Sequence, residues 1–159
     1  MSRKVDRKAS IEPMTSEDLE AVMAIEKLSF SSPWSRSAFV HELGLEGLSC
    51  NLVIRHPDSH FPGHVAGYVC FWHVVDEIHI TNLAVHPDLR RRGFGRNLIQ
   101  EVRKFAESSR AKRLLLEVRR SNFSAQNLYR ELGFSPIGVR RGYYEDTSED
   151  ALVMELILP

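Results

Sequence analysis

The sequence of 159 residues has few cysteines, no net charge and no long apolar run. Its two cysteines, Cys50 and Cys70, lie in apolar strand-like segments without ligand spacing, which indicates buried free thiols in a reducing compartment and no metal site. Lys plus Arg and Asp plus Glu each number 21, so no overall field favours nucleic acid or an anionic membrane. No segment approaches the ~20 apolar residues of a membrane span. The composition predicts a soluble, cytoplasmic protein with neither of those partners.

Nothing in the sequence marks a boundary between two domains. The chain has no internal repeat, no low-complexity tract and no linker-like change of composition. A chain of this length can bury about 70% of its unfolded surface as one unit. We predict a single domain over residues 11–159, working as a monomer or weak oligomer, after a flexible N-terminal extension at 1–10.

The apolar spacing predicts two helices, then strands, then an alternation of both. Thr15 and Asp18 resemble a capping pair for the first helix, and Ser35 is a candidate N-cap for the second. The apolar face of that second helix would consist of Phe39, Val40 and Leu43. Three β-branched and aromatic runs follow at 50–55, 63–75 and 77–85, typical of an antiparallel meander. The remaining elements would be a helix over 95–109, a strand over 113–118, a helix after Ser121 or Asn122, and two closing strands.

The run at 77–85 changes phase in its middle. Ile78 and Ile80 share one face, whereas Leu83 and Val85 share a face that is out of phase with the first pair. One inserted residue between the pairs would restore the alternation, which is the pattern of a β-bulge. A bulged or splayed strand leaves backbone N–H and C=O groups available to a ligand. The alternative is a strand buried on both faces.

Residues 86–96, HPDLRRRGFGR, place four arginines and two glycines between this strand and the next helix. A helix N-terminus offers unpaired N–H donors, glycine allows close approach, and arginine adds forked donors, so the loop suits a pyrophosphate. The Walker pattern is absent, and Leu98 stands where a dinucleotide fingerprint needs its third glycine, so neither ATP nor NAD is indicated. The alternative is a solvated basic turn.

Three further side chains, in the strand and helix that follow, are candidates for catalysis or cofactor binding. Glu117 interrupts the apolar strand at 113–118, and its neighbours Leu116 and Val118 should point to the opposite face. Asn122 and Tyr129 lie about two turns apart, near one face of the fourth predicted helix. The structural alternatives are a glutamate paired with an arginine or facing solvent, and a tyrosine that belongs to the core.

Together these segments resemble the GNAT superfamily of N-acetyltransferases. The resemblance is carried by NLAV at 82–85, R-x-x-G-x-G at 90–95, LLLEV at 114–118, and N-x-x-A-x-x-x-Y-x-x-x-G-F at 122–134. Within the superfamily, LEVRRSNFSAQNLYRELGF, RRGYY and EDALVMEL resemble the RimI type, the ribosomal-protein alanine N-acetyltransferases. SPWS at 32–35 and VVDE at 74–77 resemble it too. The match is diffuse from residue 11 and strong from about 74 to 157.

The resemblance implies an α/β (α+β) fold: one domain with a mixed, mostly antiparallel sheet, a bulged or splayed acetyl-CoA-binding strand and about four helices. It implies acetyl-CoA as co-substrate, with no metal. The backbone of Leu83, Ala84 and Val85 would bond the pantetheine arm and the thioester oxygen. Glu117 would be the general base, and Tyr129 the general acid toward the departing thiolate. The other cofactor contacts would be Arg91, Arg92, Gly93, Phe94, Gly95, Arg96 and Asn122.

The acceptor implied by the resemblance is a protein N-terminus of the Ala or Ser type, in a small-subunit ribosomal protein. An α-amine with a pKa near 8 is about one-tenth neutral at pH 7, whereas a lysine near 10.4 is almost wholly charged. A carboxylate near 4.3 is too weak a base to deprotonate such an ammonium directly, so Glu117 needs a water relay or a raised pKa. Candidate acceptor contacts are Trp34, Asp76, Glu77, Arg141, Tyr143 and Tyr144.

The sequence offers no Ser, Cys or Lys nucleophile with an adjacent base, which favours direct attack by the amine in a ternary complex. Two alternatives remain. An enzyme of the same fold could acetylate a small-molecule amine, and only the RRGYY and SPWS segments argue against it. A non-catalytic acetyl-CoA-sensing module would have little need for Glu117 and Tyr129 together.

Overall fold

The computed structural model describes residues 6–159, and within them the chain forms one seven-stranded sheet and four α-helices. The strands are β1 (Ser10–Pro13), β2 (Ser49–Arg55), β3 (Val65–Val74), β4 (Glu77–Val85), β5 (Arg113–Arg119), β6 (Ser135–Tyr144) and β7 (Glu149–Ile157). The helices are α1 (Leu19–Ser29), α2 (Arg36–Leu43), α3 (Phe94–Ser108) and α4 (Phe123–Glu131). The strand order is β1-β2-β3-β4-β5-β7-β6, with β4 and β5 parallel and the other neighbours antiparallel. The predicted mixed, mostly antiparallel sheet is confirmed.

The helix starts follow the capping residues read from the sequence. The Thr15 N–H donates to Asp18 Oδ2 at 3.0 Å, and a short 3-10 turn, Ser16–Asp18, leads into α1. The Ala38 N–H donates to Ser35 Oγ at 3.2 Å and so caps α2. The predicted apolar face of α2 is wrong at Val40, which is 51% exposed. Val40 follows the buried Phe39 directly, and a step of one residue turns a helix by about 100° toward solvent.

Each face of the sheet has its own apolar core. One core joins α3 and α4 to the sheet through residues that include Val69, Phe71, Leu114 and Leu116. The other joins α1 and α2 to β2, β3 and β4 through alternate residues that include Tyr68 and Cys70. The two cysteines are free thiols, with Cys70 buried and Cys50 half-buried.

The α1 and α2 face is covered unevenly. Its buried core takes residues from β2, β3 and β4 and none from β5, β6 or β7. Beyond β4 this face opens into a cleft of about 270 Å³. The cleft is lined by Trp72, Val74, Glu77, His79, Leu115, Glu117, Arg140 and Val153. The fold therefore leaves Glu117 beside open space.

The start of the chain is described from residue 6, so residues 1–5 of the predicted extension at 1–10 lie outside the described residues. Ser10 begins β1 and pairs with Arg55. Asp6 accepts a hydrogen bond from His56 Nε2 at 2.9 Å. None of the helices between residues 6 and 159 combines the length and apolar character needed to cross a membrane.

Candidate active site

Strand β4 carries a bulge at Thr81. Phe71 of β3 pairs with Ile80, and Cys70 pairs with Asn82, so Thr81 is skipped in the strand register and only its hydroxyl donates to the Cys70 carbonyl, at 3.2 Å. Ile78, Ile80, Leu83 and Val85 all pack against the same core despite their different sequence phases. The phase change at 77–85 thus reflects one inserted residue, as the bulge prediction requires.

Strands β4 and β5 separate after the bulge. Their pairing runs only from Glu77 opposite Arg113 to Ile80 opposite Leu116, although both strands continue. The His86 N–H donates to the Ala66 carbonyl of β3 at 2.8 Å. Because successive N–H groups of a strand point to opposite edges, those of Leu83 and Val85 point into the gap. The gap therefore presents backbone donors beside the cleft that holds Glu117.

The loop after β4 presents a second set of backbone donors. Gly93 precedes α3 with φ of 87°, and Arg91 has φ of 66°. The N–H groups of residues 91–96 have no acceptor within the described part of the chain. Consecutive free N–H groups at the start of a 15-residue helix form an anion-binding surface. The geometry fits the predicted pyrophosphate loop.

The arginines of this loop differ in what they contact. Arg92 pairs with Asp58 at 2.8 Å and lies 3.8 Å from Asp6, and Arg96 pairs with Glu131. Arg90 donates to the Val85 carbonyl and to Ser29 Oγ, both at 3.1 Å. Arg91 has neither a hydrogen bond nor an ion pair to any residue between 6 and 159. Its guanidinium is the one in the loop that no described residue engages.

Glu117 is held at the edge of the cleft by a histidine that sequence reasoning missed. Leu116 and Val118 are buried in the α3 and α4 core, as predicted, so Glu117 points to the other face. Its side chain is 8% exposed, and its Oε2 lies 2.6 Å from His79 Nε2. Arg140 Nη2 lies 3.8 Å from Oε1. The arrangement joins a carboxylate to an imidazole at the point where β4 and β5 begin to separate.

Tyr129 lies in α4, and Asn122 is the N-cap of that helix. Tyr129 is buried against the α3 and α4 core, and its ring centroid lies 5.8 Å from that of Phe134. Burial raises the pKa of Tyr129, and the nearby Tyr144 raises it further, so the phenol stays protonated at neutral pH. Asn122 caps the helix, its Oδ1 accepting from the Ala125 N–H at 3.1 Å. No described residue accepts a hydrogen bond from its side-chain N–H₂ group.

The candidate acceptor residues do not form one cluster. Glu77 lines the cleft and pairs with Arg113, whereas Asp76 pairs with Lys112 at 3.4 Å and does not line it. The Trp34 N–H donates to Glu26 Oε2 at 2.8 Å. The remaining three lie on β6: Arg141 is exposed, and Tyr143 and Tyr144 pack edge to face with centroids 5.0 Å apart.

Arg119 links the hairpin between β6 and β7 to the rest of the site. Its guanidinium lies 4.0 Å from the Tyr144 ring centroid and donates to both oxygens of Asp146, at 3.0 and 2.9 Å. Ser31, in the loop between α1 and α2, also donates to Asp146. Hydrogen bonds to Ser31 and Arg119 hold the pKa of Asp146 below its usual value. The loop between α1 and α2 and the turn of the β6–β7 hairpin thus meet at one carboxylate, 115 residues from Ser31.

Comparison with known proteins gives a consistent family. Residues 19–134 match the model of the acetyltransferase (GNAT) family. A Bacillus subtilis (strain 168) protein, named as a candidate ribosomal protein bS18-alanine N-acetyltransferase, is 42% identical over 147 residues, 92% of this chain and 94% of that protein. The Escherichia coli (strain K12) ribosomal protein bS18-alanine N-acetyltransferase is 35% identical over 149 residues, 92% and 96% of the two chains. A crystal structure of the Escherichia coli ribosomal-protein-S18-alanine N-acetyltransferase, 34% identical, superposes with a TM-score of 0.82 over 94% of this chain and 93% of that one.

Proposed function

This chain belongs to the acetyltransferase (GNAT) family, and we propose that it transfers the acetyl group of acetyl-CoA to the N-terminal α-amine of a ribosomal protein. The acceptor follows from the Bacillus and Escherichia relatives, whose names give alanine acetylation of ribosomal protein bS18. The alignments cover nearly the whole length of both relatives, so no large segment that could carry a different acceptor site is added or missing within the match.

One observation carries the proposal: the buried Glu117 carboxylate stands where β4 and β5 part, beside unpaired backbone donors. The N–H groups of Leu83 and Val85 would bind the pantetheine arm, and one of them would face the thioester oxygen. The N–H groups of residues 91–96 would hold the pyrophosphate, with Arg91 and the Asn122 amide as side-chain contacts. Most of this binding rests on backbone groups, which a fold can place with little loss of side-chain entropy.

The Glu117 and His79 pair supplies a base suited to an α-amine. A neutral imidazole has a ring nitrogen that can accept a proton, and histidine is the side chain that most often does so in enzymes. With His79 Nε2–H donating to Glu117 Oε2, Nδ1 is left as an acceptor for the proton, and the carboxylate stabilises the imidazolium that forms. Glu117 thereby acts in general-base catalysis through its partner. The pair therefore provides a proton acceptor other than the Glu117 carboxylate itself.

The reaction also requires a proton or a hydrogen bond for the departing sulfur of CoA. As the amine nitrogen forms its bond to the carbonyl carbon, the backbone donors of β4 stabilise the charge on the oxygen. Cleavage of the carbon–sulfur bond then leaves a thiolate, which takes a proton or a hydrogen bond from the Tyr129 hydroxyl. Burial raises the pKa of Tyr129, which keeps the phenol neutral but makes it a weaker acid, so its main contribution is a hydrogen bond to the sulfur. Acetyl-CoA supplies the thioester, and the chain supplies position, donors and proton transfer.

Product mapping tests this proposal. A peptide that begins with Ala and contains one internal Lys is incubated with the enzyme and acetyl-CoA, and tandem mass spectrometry locates the acetyl group. A matched peptide whose α-amine is already blocked controls for lysine transfer, and a polyamine tests the small-molecule alternative. We expect acetylation at the α-amine only. Transfer mainly to Lys, or a preference for the polyamine over both peptides, would contradict the proposal.

A further inference from the structure

Glu26 is a buried carboxylate to which the mechanism above assigns no task. It lies in α1, and the residue is 1% exposed. Its Oε1 accepts from the Tyr68 hydroxyl and from Asn82 Nδ2, the latter at 2.8 Å, and its Oε2 accepts from the Trp34 N–H at 2.8 Å. Burying an ionised carboxylate is costly unless its oxygens are hydrogen-bonded, and here three donors meet it.

The three donors come from three different parts of the molecule. Asn82 is the first residue of β4 to pair again with β3 after the bulged Thr81, and it directly precedes Leu83. Trp34 belongs to the loop between α1 and α2, which also sends Ser31 to Asp146 of the β6–β7 hairpin. Tyr68 lies inside β3 and packs edge to face on Phe39. Glu26 therefore connects β4 with the loop between α1 and α2 across the core. We call this loop, residues 30–35, the acceptor-side loop.

The hydrogen bond from Asn82 to Glu26 helps to set the direction in which the Leu83 N–H points. A strand slip of one residue would reverse which side chains and which N–H groups face each way. The Asn82 side chain points into the α1 core toward Glu26, while Leu83 packs in the α3 core. The hydrogen bond fixes Asn82, and with it the register that turns the next N–H into the gap.

We propose that Glu26 is a positioning residue for acetyl transfer, which holds the bulge of β4 and the acceptor-side loop in one fixed relation. The inference rests on the proposed function, because it needs β4 to bind the thioester and the loop to meet the acceptor. An apolar side chain in place of Glu26 could fill the same space, but it could not select the bulged register by accepting from Asn82. Glu26 itself touches neither substrate.

Two single variants separate positioning from general support of the core. Asn82→Ala removes the donor next to Leu83, and Tyr68→Phe removes a donor from the same Glu26 oxygen without touching β4 or the loop. We expect kcat at saturating acetyl-CoA to fall about tenfold or more in Asn82→Ala, since small misplacements of reacting groups are costly in rate. In Tyr68→Phe it should stay within about twofold of the wild type. Acetyl-CoA Kd should stay within about threefold of the wild type in Tyr68→Phe, and it should weaken further in Asn82→Ala, where a pantetheine contact is misplaced, without being lost, because the 91–96 loop is untouched in both.

A swap of donor and acceptor gives a second, independent readout. Glu26→Gln places an amide against the Asn82 amide, and it should lower kcat and also raise the KM for the acceptor, because the Trp34 contact is weakened too. Glu26→Gln with Asn82→Asp restores the hydrogen bond in the opposite direction, and it should recover most of the lost kcat. If circular dichroism shows that Asn82→Ala does not fold, the comparison of Glu26→Gln with the double variant tests the inference in its place.

The assay uses whichever acceptor amine product mapping identifies, so a wrong acceptor assignment would appear in the wild-type enzyme and not in these ratios. Equal losses of kcat in Asn82→Ala and Tyr68→Phe would overturn the inference. Wild-type kcat in folded Asn82→Ala, or a swap variant no faster than Glu26→Gln, would overturn it as well.

Discussion

The two halves of the site satisfy their polar groups in opposite ways. The half that we assign to the cofactor, formed by the end of β4 and residues 91–96, presents backbone N–H groups for which the described residues supply no acceptor. The half that we assign to the acceptor, formed by the cleft and the β6–β7 hairpin, contains charged side chains that already pair with other side chains of the chain. Examples are Arg113 with Glu77 and Arg119 with Asp146.

This difference indicates two kinds of recognition. Unpaired backbone donors, fixed by a bulge and a helix start, are preorganised for one anionic, carbonyl-rich ligand. Side chains that pair with one another hold their positions until an incoming group replaces one of the two partners. They can also be substituted without altering the backbone. Substitutions in the cofactor half should therefore act through bulk and charge, and those in the acceptor half through single lost contacts.

The largest effect is expected at the point where the halves meet. Glu117→Gln keeps the shape of the side chain but removes its charge, so kcat at neutral pH should fall about a hundredfold or more. The loss should shrink as pH rises through about 8, because the α-amine then becomes neutral without help. Glu155→Gln, in the neighbouring strand β7, is the matched control and should leave the pH profile unchanged. A loss in Glu117→Gln that is constant from pH 6 to 10 would contradict general-base catalysis by the Glu117 and His79 pair.

A smaller loss without alkaline recovery is expected at α4. Tyr129→Phe removes only the hydroxyl, so kcat should fall about tenfold while acetyl-CoA affinity stays within about threefold. Raising the pH cannot replace a lost proton donor, so the ratio to wild type should not improve at high pH. Calorimetric titration of acetyl-CoA beside the rate profile distinguishes the two effects. A profile that rises with pH as in Glu117→Gln would mean that Tyr129 does not serve the sulfur.

The glycine at the start of α3 tests charge and bulk separately in the cofactor half. A Cβ at Gly93 would meet no atom within 4 Å, and its φ of 87° suits Asn and Asp better than other side chains. At a ligand concentration of a hundred times Kd, acetyl-CoA should stabilise the wild type by about 2.7 kcal/mol. Gly93→Asn should keep most of that stabilisation, and Gly93→Asp should lose most of it. Thermal unfolding with and without acetyl-CoA measures both, and equal behaviour of the two variants would argue against a phosphate at this loop.

The smallest expected effect separates two adjacent arginines. Arg91 has no described partner, whereas Arg92 is already paired with Asp58, so Arg91→Ala should weaken acetyl-CoA binding several-fold more than Arg92→Ala does. Arg92→Ala should instead lower the melting temperature of the free protein, since it leaves Asp58 and Asp6 without their cation. The reverse order of Kd values would show that the ligand displaces Asp58 from Arg92.

The cofactor half was accessible to sequence analysis because its determinants are local. The phase change from Ile80 to Leu83 is visible within nine residues, and Gly93 and the Asn122 cap act on their own neighbours. Backbone geometry of this kind follows from short patterns of apolar residues, glycine and capping side chains. The bulge could thus be predicted, and so could the helix start behind it.

The acceptor half was less accessible because its contacts join distant parts of the chain. His79 and Glu117 are 38 residues apart, and only the parallel register of β4 and β5 brings them within 2.6 Å. Ser31 and Asp146 meet across 115 residues, and Glu26 reaches Asn82 across 56. None of these pairs leaves a pattern at helical or strand spacing. The sequence predicts both Asp76 and Glu77 as acidic acceptor contacts, yet only Glu77 lines the cleft.

Amide chemical shifts test the division between the two halves most directly. In a ¹⁵N-labelled sample, acetyl-CoA should move the resonances of Leu83, Val85 and residues 91–96 most, and leave those of the β6–β7 hairpin nearly unchanged. A lysine-free peptide beginning with Ala, added in the presence of CoA, should move Tyr143, Tyr144 and Trp34 and spare the 91–96 loop. If acetyl-CoA instead shifts the hairpin as strongly as the loop, or the peptide shifts the loop, the site is not divided between backbone recognition of the cofactor and side-chain recognition of the acceptor.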